Sequence, residues 1–361
     1  MLEKLCWWVL AHRKPTLALT GLLIAIAIAL VVHGGTLSSG TFAGTESGRV
    51  QDRVAEVTGH PADVTFVAVF TATRADQTFE DVERAARTAL APLRGRADVS
   101  SVVLPEDAPI FMASDMVNRE ARTVAAYVVL EGTIADALKA YPKVRAAIVS
   151  SDVDVAATGF VPFTHDMNTT LEKDLIRAEL IAIPLALLVL VLVFRTLVAA
   201  AIPVGVGGLA VLGGIGAVLA LSQSTDVAMY TINVCTLIGL GVSIDYSLFV
   251  VARYREELAR GLATDDAIVR AMTTAGRTVA FSGLAVCVGL GGLLFFSGSY
   301  LFSMGVGGAI VVGLAVLFAL TALPAILSLL GPRIFKGRVG VPRRGRPKQA
   351  EAPKTEGFWA T

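Results

Sequence analysis

Charged residues are scarce in this chain. Asp, Glu, Lys and Arg make up 17% of its 361 residues, where soluble domains run near a quarter. That shortage, with 54% hydrophobic residues and a mean hydropathy of +0.67, excludes an ordinary soluble enzyme or nucleic-acid-binding module. The net charge of +1 gives no reason to expect a nucleic-acid partner. Cysteine is rare as well. Cys6, Cys235 and Cys287 fall before or within apolar runs, so any extracytoplasmic region must fold on its own core without disulfides. The four histidines, His12, His33, His60 and His165, have no metal-ligand spacing. HExxH, GxSxG and Walker-type patterns are missing, and no nucleophile–base pair presents itself. No enzymatic activity, metal or cofactor is therefore expected.

What the chain does have is long apolar runs. About 20 mostly apolar residues cross a bilayer core. Six runs meet that rule: Thr16 to Val32, Leu180 to Phe194, Ala199 to Leu221, Tyr230 to Ala252, Thr278 to Phe296 and Ser303 to Leu330. The second is short and is expected to begin earlier, in the polar segment Leu171 to Glu179. Its Pro184 is tolerable in a membrane helix. A signal peptide is the other reading of the first run, since Lys4, Arg13 and Lys14 precede it. Its length and the absence of a small-x-small site in "VVHGGT" favour a retained span.

Basic residues set the orientation. They cluster before the first run, at Arg195, between the fourth and fifth runs (Arg253, Arg255, Arg260, Arg270, Arg277), and after Leu330. The loops "SQSTDVA" and "SGSYLF" have none. Both termini are thus expected in the cytoplasm, with the long segment after His33 outside, in a multi-pass inner-membrane protein. The expected domains are 1–33 (amino terminus and first span), 34–178 (outer domain), 179–331 (spans two to six) and 332–361 (basic tail or linker). The stretch Arg255 to Gly276 reads as a connector helix capped by Thr264 and opened by Asp265 and Asp266. Its apolar face, Ile268, Ala271, Met272 and Ala275, suits the inner membrane surface.

In the outer segment the periodicity turns globular. A short polar helix is expected over Thr45 to Thr58. Strands are expected at Val64 to Phe70, Asp98 to Leu104, Arg122 to Leu130 and Asp152 to Gly159. A helix carrying Phe79, Val82, Ala86, Leu90 and Leu93 follows the first strand. Another, capped by Thr133 and kinked or split by Pro142, follows the third. The order β-α-β-β-α-β is the ferredoxin-like arrangement. The fold class is therefore an α-helical membrane protein of six spans, with an inserted α+β domain between the first and second.

Glycines crowd the spans, among them Gly205, Gly207, Gly208, Gly213, Gly214 and Gly216 in the third. Close helix packing is the better physics for them. Nucleotide binding requires a strand-then-helix context that is missing. One residue breaks the apolar rule. Asp245 lies inside the fourth run, followed by Tyr246. An ionisable group at that depth costs a few kcal/mol or more, and such groups usually face a protein interior and mark ion or proton paths. A static ion pair with Arg195 or Arg253 is one alternative, although Arg253 is roughly 12 Å along the axis. A permanently protonated aspartate that joins helices is another. At 100° per residue Ile238, Gly241, Val242, Leu248 and Phe249 share the face of Asp245. Gly241, one turn away, leaves space there for a helix or water. Asp245 and Tyr246 are expected to reach an inward-facing seam, where shielding from water makes proton loading and release feasible.

"IGLGVSIDYSLFVVARYREEL" (Ile238 to Leu258) closely resembles the fourth span of MmpL-type transporters of the resistance–nodulation–division superfamily. "AIVRAMTTAGRTVAFSGLAV" (Ala267 to Val286) resembles the segment that follows it. The resemblance covers essentially the whole chain. It implies proton-motive-force-driven export of lipids or other hydrophobic compounds, with membrane lipids as surroundings. It also implies a proton relay through Asp245 and Tyr246, and porter subdomains of ferredoxin-like fold. The family is usually about twice this length, with a second repeat and a second Asp-Tyr pair. "EGFWAT" at the end is similar to the opening "LEKLCWWVL", so Phe358 and Trp359 read as the start of a second repeat. The chain is then an amino-terminal half that needs a partner half or a homo-oligomer. A sterol-sensing-like regulator, a translocation accessory and an inactive truncated fragment are the alternatives.

Overall fold

The computed structural model describes residues 2–35, 37–38, 46–225, 227–296 and 300–337. Residues 338–361, with Phe358 and Trp359, lie outside the described residues, as does Thr45. The chain opens with α1 (Leu2–Ala11), which the sequence reading did not foresee. It buries Cys6, Val9 and Leu10 and leaves Trp7 and Trp8 exposed, a division suited to an interfacial helix. The first span follows as α2 (Arg13–His33), and β1 (Leu37–Ser38) leads from it to α3 (Glu46–Thr58).

The outer domain is built from β2 (Thr65–Ala72), α4 (Phe79–Leu90), β3 (Val99–Val103), α5 (Ile110–Ala113), β4 (Val117–Asn118), β5 (Thr123–Leu130), α6 (Ile134–Ala147) and β6 (Val153–Thr158). The sheet order is β3-β5-β2-β6, with every pairing antiparallel and the two-residue β4 beside β5. This is the expected ferredoxin-like order. Alternation along β2 buries Phe66, Ala68 and Phe70 against one face. Val82, Ala86 and Leu90 of α4 and Ala137, Tyr141 and Val144 of α6 complete that core. Pro142 does not split α6, which is continuous over Ile134–Ala147. The proline lies on the exposed side, where water can satisfy the carbonyl that lost its partner.

Both helices of this domain open with a capping box. Thr78 and Asp81 form one, and Thr133 and Asp136 the other. Hydrogen bonds from the Thr133 hydroxyl and backbone N–H (2.7 and 3.1 Å) hold the Asp136 carboxyl below the ordinary carboxylate range. Thr133→Ala is expected to cost about 1 kcal/mol, read as faster hydrogen exchange along α6 in the full chain. Because the folded form holds the carboxylate, the box contributes fully above about pH 4, the ordinary value of a free Asp. The contribution fades as pH falls through and below that value.

Gly159, at φ 117°, turns β6 into the next helix, where a Cβ would lie 3.3 Å from the Phe66 Cα. That helix, α7 (Phe160–Phe194), is continuous for 35 residues, roughly 52 Å. It begins inside the outer domain, where Val161, Pro162 and Thr164 are buried, eleven residues before the segment Leu171 to Glu179 from which it was expected to emerge. The predicted boundary between 178 and 179 thus falls within one helix. Nothing from Phe163 to Ile183 stops a helix, since the segment has neither glycine nor proline.

The remaining spans are α8 (Leu197–Leu221), α9 (Tyr230–Ala259), α11 (Arg277–Gly291) and α12 (Tyr300–Leu320). Between α8 and α9, β7 (Val227–Ala228) pairs in parallel with β1. Before α11 comes α10 (Thr264–Ala271), joined to it by a π-helical turn over Met272–Gly276. Thr264 does not cap α10. Ala263 occupies the cap position and supplies no side-chain bond, and Asp265 and Asp266 in the first turn meet the positive helix end instead. Nor is this segment a separate surface connector. Ala267, Ile268 and Ala271 are fully buried beneath the bundle, and the helix runs on into α11. The predicted sixth span is broken at Thr321 (φ −124°, ψ −65°), after which α13 (Ala322–Leu330) carries Pro324 in its first turn. Proline has no N–H to extend α12 through this point. Among the described residues, six helical segments are long and apolar enough to cross a membrane. The protein is a multi-pass membrane protein. In the membrane region α8, α9 and α12 pack together, with α2 and α7 against α8 and α11 against α12.

Candidate functional site

Over Tyr230 to Ala252, helix α9 carries a line of small polar side chains on one side and a single charged residue, Asp245, on another. The polar line faces the bundle. Thr231, Cys235, Ser243 and Ser247 are fully buried, and the hydroxyls of Thr231, Ser243 and Ser247 have no hydrogen-bond partner among the described residues. The side of Asp245 faces away. Leu237, Gly241, Asp245 and Phe249, four residues apart, are all exposed. Asp245 sits at the middle of this helix, about 22 Å from its start. A Cβ at Gly241 would meet nothing within 4 Å, so the notch expected one turn from the carboxylate is open.

The two members of the Asp-Tyr pair diverge. Tyr246 lies in the inner seam between α9 and α11. Its ring is 6% exposed, and its hydroxyl is 3.5 Å from the Ser282 Oγ. Gly283 beside that ring leaves room for Val316 of α12, since a Cβ there would lie 2.1 Å from the Val316 side chain, while the ring at 3.5 Å is in ordinary contact. Asp245 does not join this seam. Adjacent residues on a helix point about 100° apart, and the one that turns inward here is the tyrosine. Ser282 appears in the sequence only as one polar residue among several. Its place beside Tyr246 depends on the packing of α11, which sequence periodicity does not give.

Among the described residues neither basic residue proposed as a static partner pairs with Asp245. Arg253 pairs with Glu256 (2.8 Å) and with Glu257 (2.5 Å), and Arg260 with Glu257 (2.8 Å). Among the described residues Asp245 makes no ion pair. Arg255 lies over the rings of Phe194 and Phe335, at 5.1 and 5.2 Å. It thereby ties the ends of α7 and α9 to the segment after α13. Arg195 ends α7 in the left-handed region at φ 54°.

Residues 40–361 match the model of the MMPL family. The chain belongs to the MMPL family. It is 41% identical over 181 residues to the trehalose monomycolate exporter MmpL3 of Mycolicibacterium smegmatis, covering 50% of this chain and 18% of that protein. A membrane protein of Streptomyces coelicolor is 36% identical over 269 residues, covering 73% of this chain and 37% of the relative. The heme uptake protein MmpL11 of Mycobacterium tuberculosis is 29% identical over 367 residues, covering 97% of this MMPL chain and 36% of the relative. The chain thus spans well under half the length of these relatives.

Proposed function

We propose that this MMPL chain is one half of a proton-driven exporter of lipids or other hydrophobic compounds. The observation that carries the reading is Asp245, exposed in mid-span on a face that this half leaves uncovered. A carboxylate facing acyl chains costs a few kcal/mol, so in a membrane that face needs either a proton on Asp245 or a second protein surface against it. A partner half or a second copy supplies that surface and turns an exposed site into a shielded one. Tyr246 and Gly241 belong to the same relay. Tyr246 offers its hydroxyl from the seam with α11, and Gly241 keeps the approach to Asp245 open. A gradient drives cycling only when two packing states differ in their affinity for, or access to, the proton.

Export is preferred to uptake because MmpL3 and the MmpL11 of Mycolicibacterium smegmatis, 41% and 39% identical over about half of this chain, are named as exporters, whereas the MmpL11 named for heme uptake is 29% identical. The alternation of basic and uncharged loops supports both termini in the cytoplasm and residues 34–178 outside. Collapse of the proton gradient in vesicles is expected to end substrate accumulation within the assembled transporter. Accumulation that continues without a gradient would refute the driving force. Membrane-impermeant labelling of a cysteine at Val149, exposed in the outer domain, is expected from outside intact cells. Labelling only after lysis would reverse the orientation.

A further inference from the structure

Low on α7, Leu190 and Phe194 are buried and the helix rests on α8. Higher up, where α7 leaves the membrane toward the outer domain, a cleft of about 380 Å³ separates it from the start of α9. Along α7 the lining falls on one helical face: Asn168, Leu171, Glu172, Leu175, Ile176 and Glu179. From α9 come Ile232, Asn233 and Thr236, with Tyr230 at the rim. Glu172 and Glu179 are two turns apart, roughly 10 Å along the axis. The leucines and isoleucines lie between and opposite them. The apolar run of the span begins at Leu180, immediately after Glu179. The cleft therefore sits at the outer boundary of the hydrocarbon, at the depth where the head of a membrane amphiphile joins its chain.

The charge of the lining selects the occupant. Among the described residues it holds two carboxylates, two asparagines, a threonine and a tyrosine, and no Lys, Arg or His. The nearest cations along α7 are Lys173, next to Glu172 and exposed, and Arg177, which bonds Asp174 at 3.5 Å; none of Lys173, Asp174 and Arg177 lines the cleft. We propose that this cleft binds an amphiphile with a positively charged, hydrogen-bond-donating head, its chain against Leu175, Ile176 and Ile232 and its head between Glu172 and Glu179. A phosphate or sulfate head meets like charge there. An uncharged polyol gains hydrogen bonds without the charge assistance that roughly doubles their strength. The proposal rests on the transporter reading only for its purpose, as the first site that a substrate meets from the outer leaflet. The binding itself needs no gradient.

The test is equilibrium binding of spin-labelled dodecyl amphiphiles to the full chain in phosphatidylcholine nanodiscs, read as the immobilised fraction of the spectrum. Three heads are compared: primary ammonium, maltoside and phosphate. The ammonium probe is expected to bind about tenfold more tightly than the phosphate probe, with the maltoside between. Glu172→Gln with Glu179→Gln is expected to erase the ranking while leaving the chain-dependent part. Ile232→Trp fills the cleft from its apolar side and is expected to remove immobilisation of all three. Asp174→Asn, off the cleft, is expected to change nothing. Equal or tighter binding of the phosphate or maltoside probe overturns the proposal, as does a ranking that survives both the glutamine and the tryptophan variants. Because no gradient is applied, loss of the head-group ranking sinks the cleft alone. An Asp245 variant that still transports would sink the relay alone.

Discussion

Asp245→Asn is expected to abolish gradient-driven accumulation by the assembled transporter. The substitution keeps the size and hydrogen-bonding shape of the side chain and removes its ability to carry a proton. Each elementary charge moved through 100 mV is worth about 2.3 kcal/mol, or a roughly fiftyfold accumulation ratio for one coupled proton. The asparagine variant should lower that ratio to near unity in vesicles with an imposed proton gradient, measured beside the wild type at equal protein content. Asp245→Glu, which keeps a titratable carboxyl one methylene further out, should retain part of the ratio. Tyr246→Phe should reduce transport less than Asp245→Asn, because it removes a hydroxyl from the α11 seam while leaving the carboxyl in place. Unchanged accumulation in the asparagine variant would end the proposed role of this residue.

The exposure of Asp245 also bears on assembly. A single six-span unit would hold a carboxylate against lipid at mid-depth, together with Leu237 and Phe249, which are 57% and 56% exposed. Small residues on such a face permit close approach of another helix, and Gly241 is the small residue beside the charge. On the proposed reading, a second half or copy covers the charged residue and the notch beside it.

Much of this was legible in one sequence because membranes and sheets impose strict periods. The six spans follow from length and hydropathy, and the βαββαβ order from alternation, capping threonines and turn residues. What escaped was set by contacts between elements. The start of α7 lies eleven residues before the segment expected to open it, because polar and charged residues through Glu172 and Asp174 mask how far the helix continues out of the membrane. Pro142 reads as a helix breaker until its exposed position shows where water replaces the missing bond. Thr264 has the right chemistry for a cap but lies one residue inside the helix. The candidate site divides in the same way. Asp245 stands out in any hydropathy reading, and Gly241 follows from helical spacing. The inward turn of Tyr246 toward Ser282, and the cleft between α7 and α9, depend on how helices distant in sequence pack.

Gly216→Leu is expected to be the most damaging single change among the helix-packing glycines considered. At this position in α8 a Cβ would lie 2.6 Å from both the Cα and the Cβ of Ala27 in α2, and 3.2 Å from its carbonyl oxygen. The obstacle is backbone, which no rotamer change removes, and Ala27 is itself one of only two buried residues of α2. A leucine must therefore push α2 off α8. Overpacking of this kind costs about 3 kcal/mol at the upper end of its usual range. Gly216→Ala should already cost about half as much. Gly208→Ala is the matched comparison in the same helix, because a Cβ there would meet nothing within 4 Å. It should be neutral, or stabilising by up to about 1 kcal/mol from helix propensity. The measurement is thermal unfolding in detergent micelles, paired with hydrogen exchange along α2 and along β2 of the outer domain. Exchange should rise in α2 of the leucine variant and stay unchanged in β2, since the outer domain has its own core around Phe66 and Phe70. A leucine variant as stable as the wild type would show that α2 is free to shift, and the packing role assigned to Gly216 would fall.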